Sequence, residues 1–317
     1  MNILVTGAAG FIGSHVAEAL LKRGGTVVGI DDLNDYYPPE YKQENIEILQ
    51  KYERFTFIRG DIRDHGLMRD IFKEHGITHV GHLAARAGVR ASVEDPFLYQ
   101  DVNVRGTLVL LECAKESSTE NFVLTSSSSV YGYSTKVPFT EDDSATDLPI
   151  SPYAATKKAT EVMGHAYHYL HGLNISVVRP FTVFGPRGRP DMVMWKFIQA
   201  VCNDQAITRY GDGSSRRDYT YISDFVAGFV AALDRPLGYE VFNLGSEHPV
   251  MMNDLIAILE EITGKSIKVK EESMPKADVP ITYADLTKAK RLLGYEPKKP
   301  FKEAVREFYA WFMQNRA

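Results

Sequence analysis

Through the first 180 residues, short apolar runs alternate with longer stretches in which apolar residues recur every three or four positions. The runs Asn2–Thr6, Thr26–Ile30, Phe55–Arg59, His79–Leu83, Asn121–Thr125 and Ile175–Arg179 are dominated by apolar residues. They predict strands buried on both faces. Helical spacing falls between them, at His15–Lys22, Leu67–His75, Leu98–Glu116 and Tyr153–Leu170. Strands alternating with helices indicate βαβ units, and right-handed crossovers then make a doubly wound parallel sheet the expected topology. The fold class is α/β.

Past Pro180 the texture changes. Gly185-Pro186-Arg187-Gly188-Arg189-Pro190 and Gly211-Asp212-Gly213-Ser214-Ser215 are turn clusters, and the helical stretches are separated by longer connections. This predicts two parts, 1–180 for the sheet and 181–317 for a smaller mixed α/β substrate-binding domain, with 219–245 returning to the first. The longest apolar run, Phe225 to Leu233, is nine residues between two aspartates. It is half a membrane span and reads as a buried helix.

Composition narrows the class. At 317 residues, 44% hydrophobic and 24% charged, the chain is an ordinary globular one large enough to fold without disulfides. Its two cysteines, Cys113 and Cys202, lie far apart and fit reduced thiols of a cytoplasmic protein. No basic leader precedes Asn2-Ile3-Leu4-Val5, so neither export nor a membrane is expected. A net charge of −5 argues against nucleic acid as a partner.

Gly7-Ala8-Ala9-Gly10-Phe11-Ile12-Gly13 follows the first strand and opens the first helix. Glycines there allow a tight turn, close approach of backbone to a pyrophosphate, and close helix–strand packing. The phosphates then rest on the helix N-terminus. This makes the fold Rossmann-type, although the GxxGxxG spacing is one residue longer in its first gap than GxGxxG. Asp31, at the end of the second strand, stands where a carboxylate would accept from ribose hydroxyls and repel a 2′-phosphate, which favours NAD over NADP. Gly60-Asp61-Ile62 follows the third strand and offers Asp61 to an adenine amine.

Tyr153-Ala154-Ala155-Thr156-Lys157 sets a tyrosine and a lysine on one helix face. Alone this is a surface pair. Here it follows a nucleotide-type glycine loop, a Ser151-Pro152 helix start and the cluster Ser126-Ser127-Ser128-Ser129 at a strand's C-terminal end, where ligands bind in open sheets. A free tyrosine is only about 0.1% ionised at pH 7. A neighbouring ammonium would favour the phenolate, which then takes a hydroxyl proton while a hydride leaves the same carbon. A serine hydroxyl would share that proton. His79 and His82, on a buried strand, read as structural, and no metal-ligand spacing occurs.

These motifs resemble the extended short-chain dehydrogenase/reductases of the nucleotide-sugar epimerase/dehydratase family. The likeness runs along nearly the whole chain, through Gly60-Asp61, Leu83-Ala84-Ala85, Asn103, Ser127 with Val130-Tyr131-Gly132, Tyr153/Lys157, Arg179-Pro180, Arg216-Arg217-Asp218-Tyr219 and Asp278-Val279-Pro280. It implies tightly held NAD and a homodimer through helices of the first domain. Ser127 joins Tyr153 and Lys157 as catalytic. Gly7, Gly10, Phe11, Ile12, Gly13, Asp31, Asn34, Asp61, Ile62, Leu83, Ala84, Ala85, Asn103, Tyr153, Lys157 and Pro180 become cofactor positions. The substrate is a nucleoside diphosphate sugar, with Arg217 resembling the family's diphosphate clamp and Asp278 its ribose acceptor. Ala277 stands where a glycine is common.

Dehydratases of this family carry Asp-Glu, and UDP-glucuronate decarboxylases a glutamate, where this chain has Ser128 and Ser129. Without a second acid, reversible oxidation and reduction at C4 is favoured. The segments Ile30–Tyr37, Ala87-Gly88-Val89-Arg90, Phe181–Pro186 and Gly188–Met192 closely resemble UDP-glucuronate 4-epimerases. Thr182 stands where neutral-sugar epimerases have asparagine. Arg189, with Thr182 and Ser128, would hold a C6 carboxylate and so hinder decarboxylation of a 4-keto uronic acid. Arg90 is a phosphate or a dimer contact. A 4-epimerase of UDP-glucose or UDP-N-acetylglucosamine, or a decarboxylase, is the alternative.

Overall fold

The computed structural model describes residues 1–275 and 278–317. The first part runs β1 (Asn2–Thr6), α1 (Phe11–Lys22), β2 (Thr26–Asp31), α2 (Pro39–Leu49), β3 (Phe55–Arg59), α3 (His65–Glu74) and β4 (His79–His82). Two single turns, α4 (Ala91–Glu94) and α5 (Pro96–Tyr99), lead to α6 (Gly106–Glu116), β5 (Asn121–Thr125), α7 (Pro152–His171) and β6 (Ile175–Pro180). Then come β7 (Thr182–Phe184), α8 (Val193–Cys202), β8 (Ile207–Tyr210), β9 (Arg216–Tyr221), α9 (Ile222–Leu233) and β10 (Tyr239–Leu244). The chain closes with β11 (Pro249–Met251), α10 (Met252–Thr263), β12 (Val269–Glu272), α11 (Thr287–Leu293) and α12 (Phe301–Asn315).

Seven strands form a parallel sheet in the order β10-β6-β5-β4-β1-β2-β3. The chain enters at β1, steps out to β3, then crosses back to β4 on the other side. The switch point therefore lies between β1 and β4. Alternate residues of each strand feed two apolar layers, which is why the runs read as unbroken. Ile3, Val5, Val123 and Val178 pack with Val16 and Leu20 of α1 and Phe225 and Phe229 of α9. Leu4, Val28, Phe122 and Val177 pack with Met68 and Ile71 of α3 and Leu110 and Leu111 of α6.

Of the stretch 219–245, the first three residues finish β9 in a three-stranded sheet ordered β11-β9-β7. From Ile222 the chain returns, laying α9 on the large sheet and adding β10 beside β6. The helix expected over Leu98–Glu116 is divided. Gln100–Arg105 is π-helical between α5 and α6, and the wider turn carries Asn103 to partners outside the helix.

Candidate active site at the switch point

The C-terminal ends of β1, β2, β4 and β5 open into a cleft. Gly7, Gly10, Phe11, Ile12 and Gly13 line its floor. Gly7 and Gly13 are required there. Gly7 has φ +69° and a Cβ on it would lie 2.8 Å from the Ala84 nitrogen; a Cβ on Gly13 would lie 2.0 Å from the Gly7 carbonyl oxygen. No side chain caps the N-terminus of α1 among the described residues, so its first-turn amides are open to an anion.

Asp31 ends β2 on one wall, accepting from the Ala9 amide at 3.1 Å and the Leu33 amide at 2.9 Å. Burial pushes its carboxyl upward. Asn34 and Lys42 stand beside it, the lysine donating to the Asn34 carbonyl at 2.8 Å and lying 4.0 Å from Asp31. Asp61 and Ile62 lie further out, where a hydrogen bond from Arg63 holds the Asp61 carboxyl low. Opposite, Leu83, Ala84 and Ala85 leave β4, with the amides of Leu83 and Ala84 donating to Thr6 Oγ1 at 3.1 Å each. His82 is tied between Thr6 and Thr107 at 2.8 and 2.9 Å, and burial takes its pKa down to about 3. It is a neutral structural group.

Asn103 does not line the cleft. Its Oδ1 accepts from the Arg86 amide at 2.8 Å, and its Nδ2 donates to the Arg86 carbonyl and to Thr156 Oγ1 at 3.1 and 3.0 Å. It therefore joins the loop after β4 to the helix carrying Tyr153.

Tyr153 and Lys157 project into the cleft from the first turns of α7, which Ser151 caps through the Ala154 amide. Lys157 Nζ donates to the Thr125 carbonyl at 2.7 Å, and burial lowers its pKa to about 8. Burial pushes the Tyr153 phenol up, while a hydrogen bond with Ser127 and the charge of Arg189 work against that rise. Ser128 opens a 3₁₀ turn directly after Ser127, and Thr182 lies in β7 just past Pro180; both are half-buried. Arg189 and Pro180 complete the inner wall. The Arg189 fork closes on Asp191 at 2.8 and 2.7 Å, and the Tyr36 hydroxyl donates to the same carboxylate at 3.4 Å.

Arg90, Arg217 and Asp278 form a separate group. Arg217 donates to Asp278 Oδ1 at 2.9 Å, and Arg90 to Oδ2 at 3.4 Å while its other nitrogen reaches the Tyr210 hydroxyl at 3.0 Å. Arg90 leaves the first part of the chain and the other three the second, so the cluster bridges the two. Ala277 lies outside the described residues. Sequence reading missed Lys42 and Arg86, both lining the cleft. Each is a cation beside an acid or a quoted motif, and that was the available signal. No group of three metal-ligating side chains occurs among the described residues.

The fold has counterparts among known proteins. Residues 4–308 match the family described as GDP-mannose 4,6 dehydratase. UDP-glucuronate 4-epimerase of Thermodesulfobacterium geofontis is 47% identical over 98% of this chain and 96% of its own length. The crystal structure of UDP-glucuronic acid 4-epimerase from Bacillus cereus, in complex with UDP-glucuronic acid and NAD, aligns with a TM-score of 0.93 at 39% identity, covering 99% of both chains. UDP-glucose 4-epimerase of Thermotoga maritima aligns with a TM-score of 0.91 at 34% identity over the whole of both chains. Matched over residues 4–308 by that family and nearly from end to end by these relatives, the chain belongs to the GDP-mannose 4,6-dehydratase family of extended short-chain dehydrogenase/reductases.

Proposed function

We propose that this chain catalyses reversible C4 epimerisation of a UDP-uronic acid, interconverting UDP-glucuronate and UDP-galacturonate with NAD held throughout. The observation that carries the reading is the convergence of Tyr153, Lys157 and Arg189 on the cleft whose floor is the glycine cradle. Bound NAD supplies the hydride acceptor that oxidation at C4 requires and the hydride that reduction returns. Tyr153 takes the C4 hydroxyl proton and gives it back, Lys157 favours the phenolate with its ammonium, and Ser127 orients the sugar oxygen. Asp31 and the α1 amides fit the ribose and pyrophosphate of the cofactor. Asn103 acts as a positioning residue. Ser128 and Ser129 leave water elimination without a second acid.

Arg217 and Arg90 fit the two phosphates of the substrate and Asp278 its ribose, because these side chains cluster across the junction of the two parts. That favours a phosphate role for Arg90 over a dimer contact. The division near Pro180 puts the substrate between the parts. A neutral UDP-sugar is the second reading, favoured by one observation: Asp191 already occupies the fork of Arg189.

A panel of UDP-glucuronate, UDP-glucose and UDP-N-acetylglucosamine followed by NMR separates the readings. UDP-galacturonate is expected, and Arg189→Ala is expected to weaken the acidic substrate about tenfold or more over the neutral ones. Conversion of the neutral sugars alone would overturn the uronate reading, and release of a pentose with CO₂ would make the enzyme a decarboxylase.

We also infer a homodimer through α6 and α7. Leu108 on α6 and Val162 and Tyr169 on α7 are exposed, at 40%, 58% and 80%, and apolar surface in that quantity on adjoining helices suits a second copy. Light scattering should give twice the chain mass, and Val162→Glu with Tyr169→Glu should halve it. A monomeric native protein would refute the assignment. Residence in the cytoplasm is proposed on its two unpaired cysteines. No helix among the described residues is long and apolar enough to cross a membrane. Cell fractionation tests this.

A further inference from the structure

A buried ion pair lies behind the reacting groups, outside the cleft. Glu161 continues the α7 stripe of Tyr153 and Lys157 by one further turn, and its side chain is 3% exposed. Both carboxylate oxygens are engaged. Oε1 accepts from the Ser126 hydroxyl at 2.5 Å and from Arg179 Nε at 2.8 Å; Oε2 accepts from the other arm of the Arg179 fork at 2.8 Å. Arg179, on β6, also donates to the Tyr131 hydroxyl at 2.9 Å and the Glu141 carbonyl at 3.1 Å. Burying two charges is expensive, and a hydrophobic pair would fill the space between helix and sheet. The pair therefore calls for a task that packing alone does not perform.

Its connections say which. Lys157 and Glu161, one turn apart, grip consecutive residues at the end of β5, the lysine through the Thr125 carbonyl and the glutamate through the Ser126 hydroxyl. Ser127 is the next residue. The two grips fix how far α7 is advanced along β5, and that advance sets the meeting of Ser127 with Tyr153. We propose that Glu161 is a positioning residue for the Tyr153–Lys157–Ser127 group, with Arg179 as the clamp that fixes its carboxylate.

The same carboxylate acts on Lys157 by charge. Tyr153 lies one turn before the lysine on its own helix and Glu161 one turn after; His82 faces the ammonium from β4 and the Thr125 carbonyl from β5, with Arg179 and Lys158 beyond Glu161. His82 is neutral, so Glu161 is the one fixed negative charge in this set, and it opposes the drop in pKa that burial imposes on Lys157. Removing that charge would make Lys157 lose its proton at lower pH.

The inference rests on the epimerase reading only for its kinetic assay. In NAD-loaded Glu161→Gln, kcat is expected to fall on the order of tenfold to a hundredfold with KM nearly unchanged. The alkaline limb of its pH profile should move to lower pH. Ser126→Ala keeps the ion pair and removes only the link to β5, so kcat should fall while the alkaline limb stays in place. A folded Glu161→Gln protein with native kcat and native pH profile would overturn the proposal. If that variant does not fold, native kcat in Ser126→Ala would overturn it. In lysine-labelled holoenzyme the NMR signal lost in Lys157→Met should titrate lower in Glu161→Gln, and an unmoved signal would refute the electrostatic part. That readout needs no substrate, so it stands apart from any failure of the sugar assignment.

Discussion

Tyr153→Phe is expected to lower epimerisation on the order of 10³-fold, the scale of a positioned general base, while the purified variant still carries NAD. The phenol lines the cleft, where the nearby Ser127 hydroxyl and the charge of Arg189 favour its ionised form, and phenylalanine keeps the ring while removing the proton carrier. The T-shaped contact with Tyr99 at 6.2 Å would persist, so the fold should not suffer. NMR of the sugar gives the rate, and adenine absorbance after denaturation gives the cofactor content. Residual activity above about a tenth would remove Tyr153 from the role of base. The pH dependence of the native enzyme has a definite sign. Burial sets Lys157 near 8; below that value the ammonium is present to favour the phenolate, and turnover should fall as pH rises through it.

Gly13→Ala should lose NAD almost completely. The added methyl would meet the Gly7 carbonyl oxygen at 2.0 Å and its carbon at 2.8 Å, so the loop and the start of α1 must separate. That displacement moves the amides that would receive the pyrophosphate, and overpacking of this kind costs about 1–3 kcal/mol of stability as well. Gly10→Ala is the control, because its nearest neighbour would be 3.2 Å away and its backbone is not left-handed. Full NAD occupancy in Gly13→Ala would show that the loop is a mere turn.

Five of the six early strands were legible because both faces of each meet an apolar layer; β3, at the sheet edge with Thr56 exposed, was marked by Phe55, Phe57 and Ile58 alone. The glycine loop, Asp31, Tyr153 and Lys157 were legible through spacing. Helix α2 was not, because polar residues share its inward face with Ile46 and Leu49. Lys42 and Asn45 are buried there to serve Asn34 and the Ala9 carbonyl, which erases the apolar stripe. The π turn at Gln100–Arg105 left no periodic trace, since the extra residue is spent on the bonds of Asn103. Arg90's company with Arg217 and Asp278 joins residues more than 120 positions apart, beyond any local pattern. Arg179 was visible only as part of a motif; a charged residue ending an otherwise apolar strand signals a buried partner, and that partner is Glu161.

The return of the chain from Ile222 to Leu244 has an evolutionary consequence. Because β10 covers the edge of β6, the segment after Pro180 cannot be exchanged as a cassette without stripping a strand from the sheet that carries the glycine cradle. Recombination between relatives is penalised at that boundary. Variation at the cleft is then confined to point substitutions within a scaffold inherited whole.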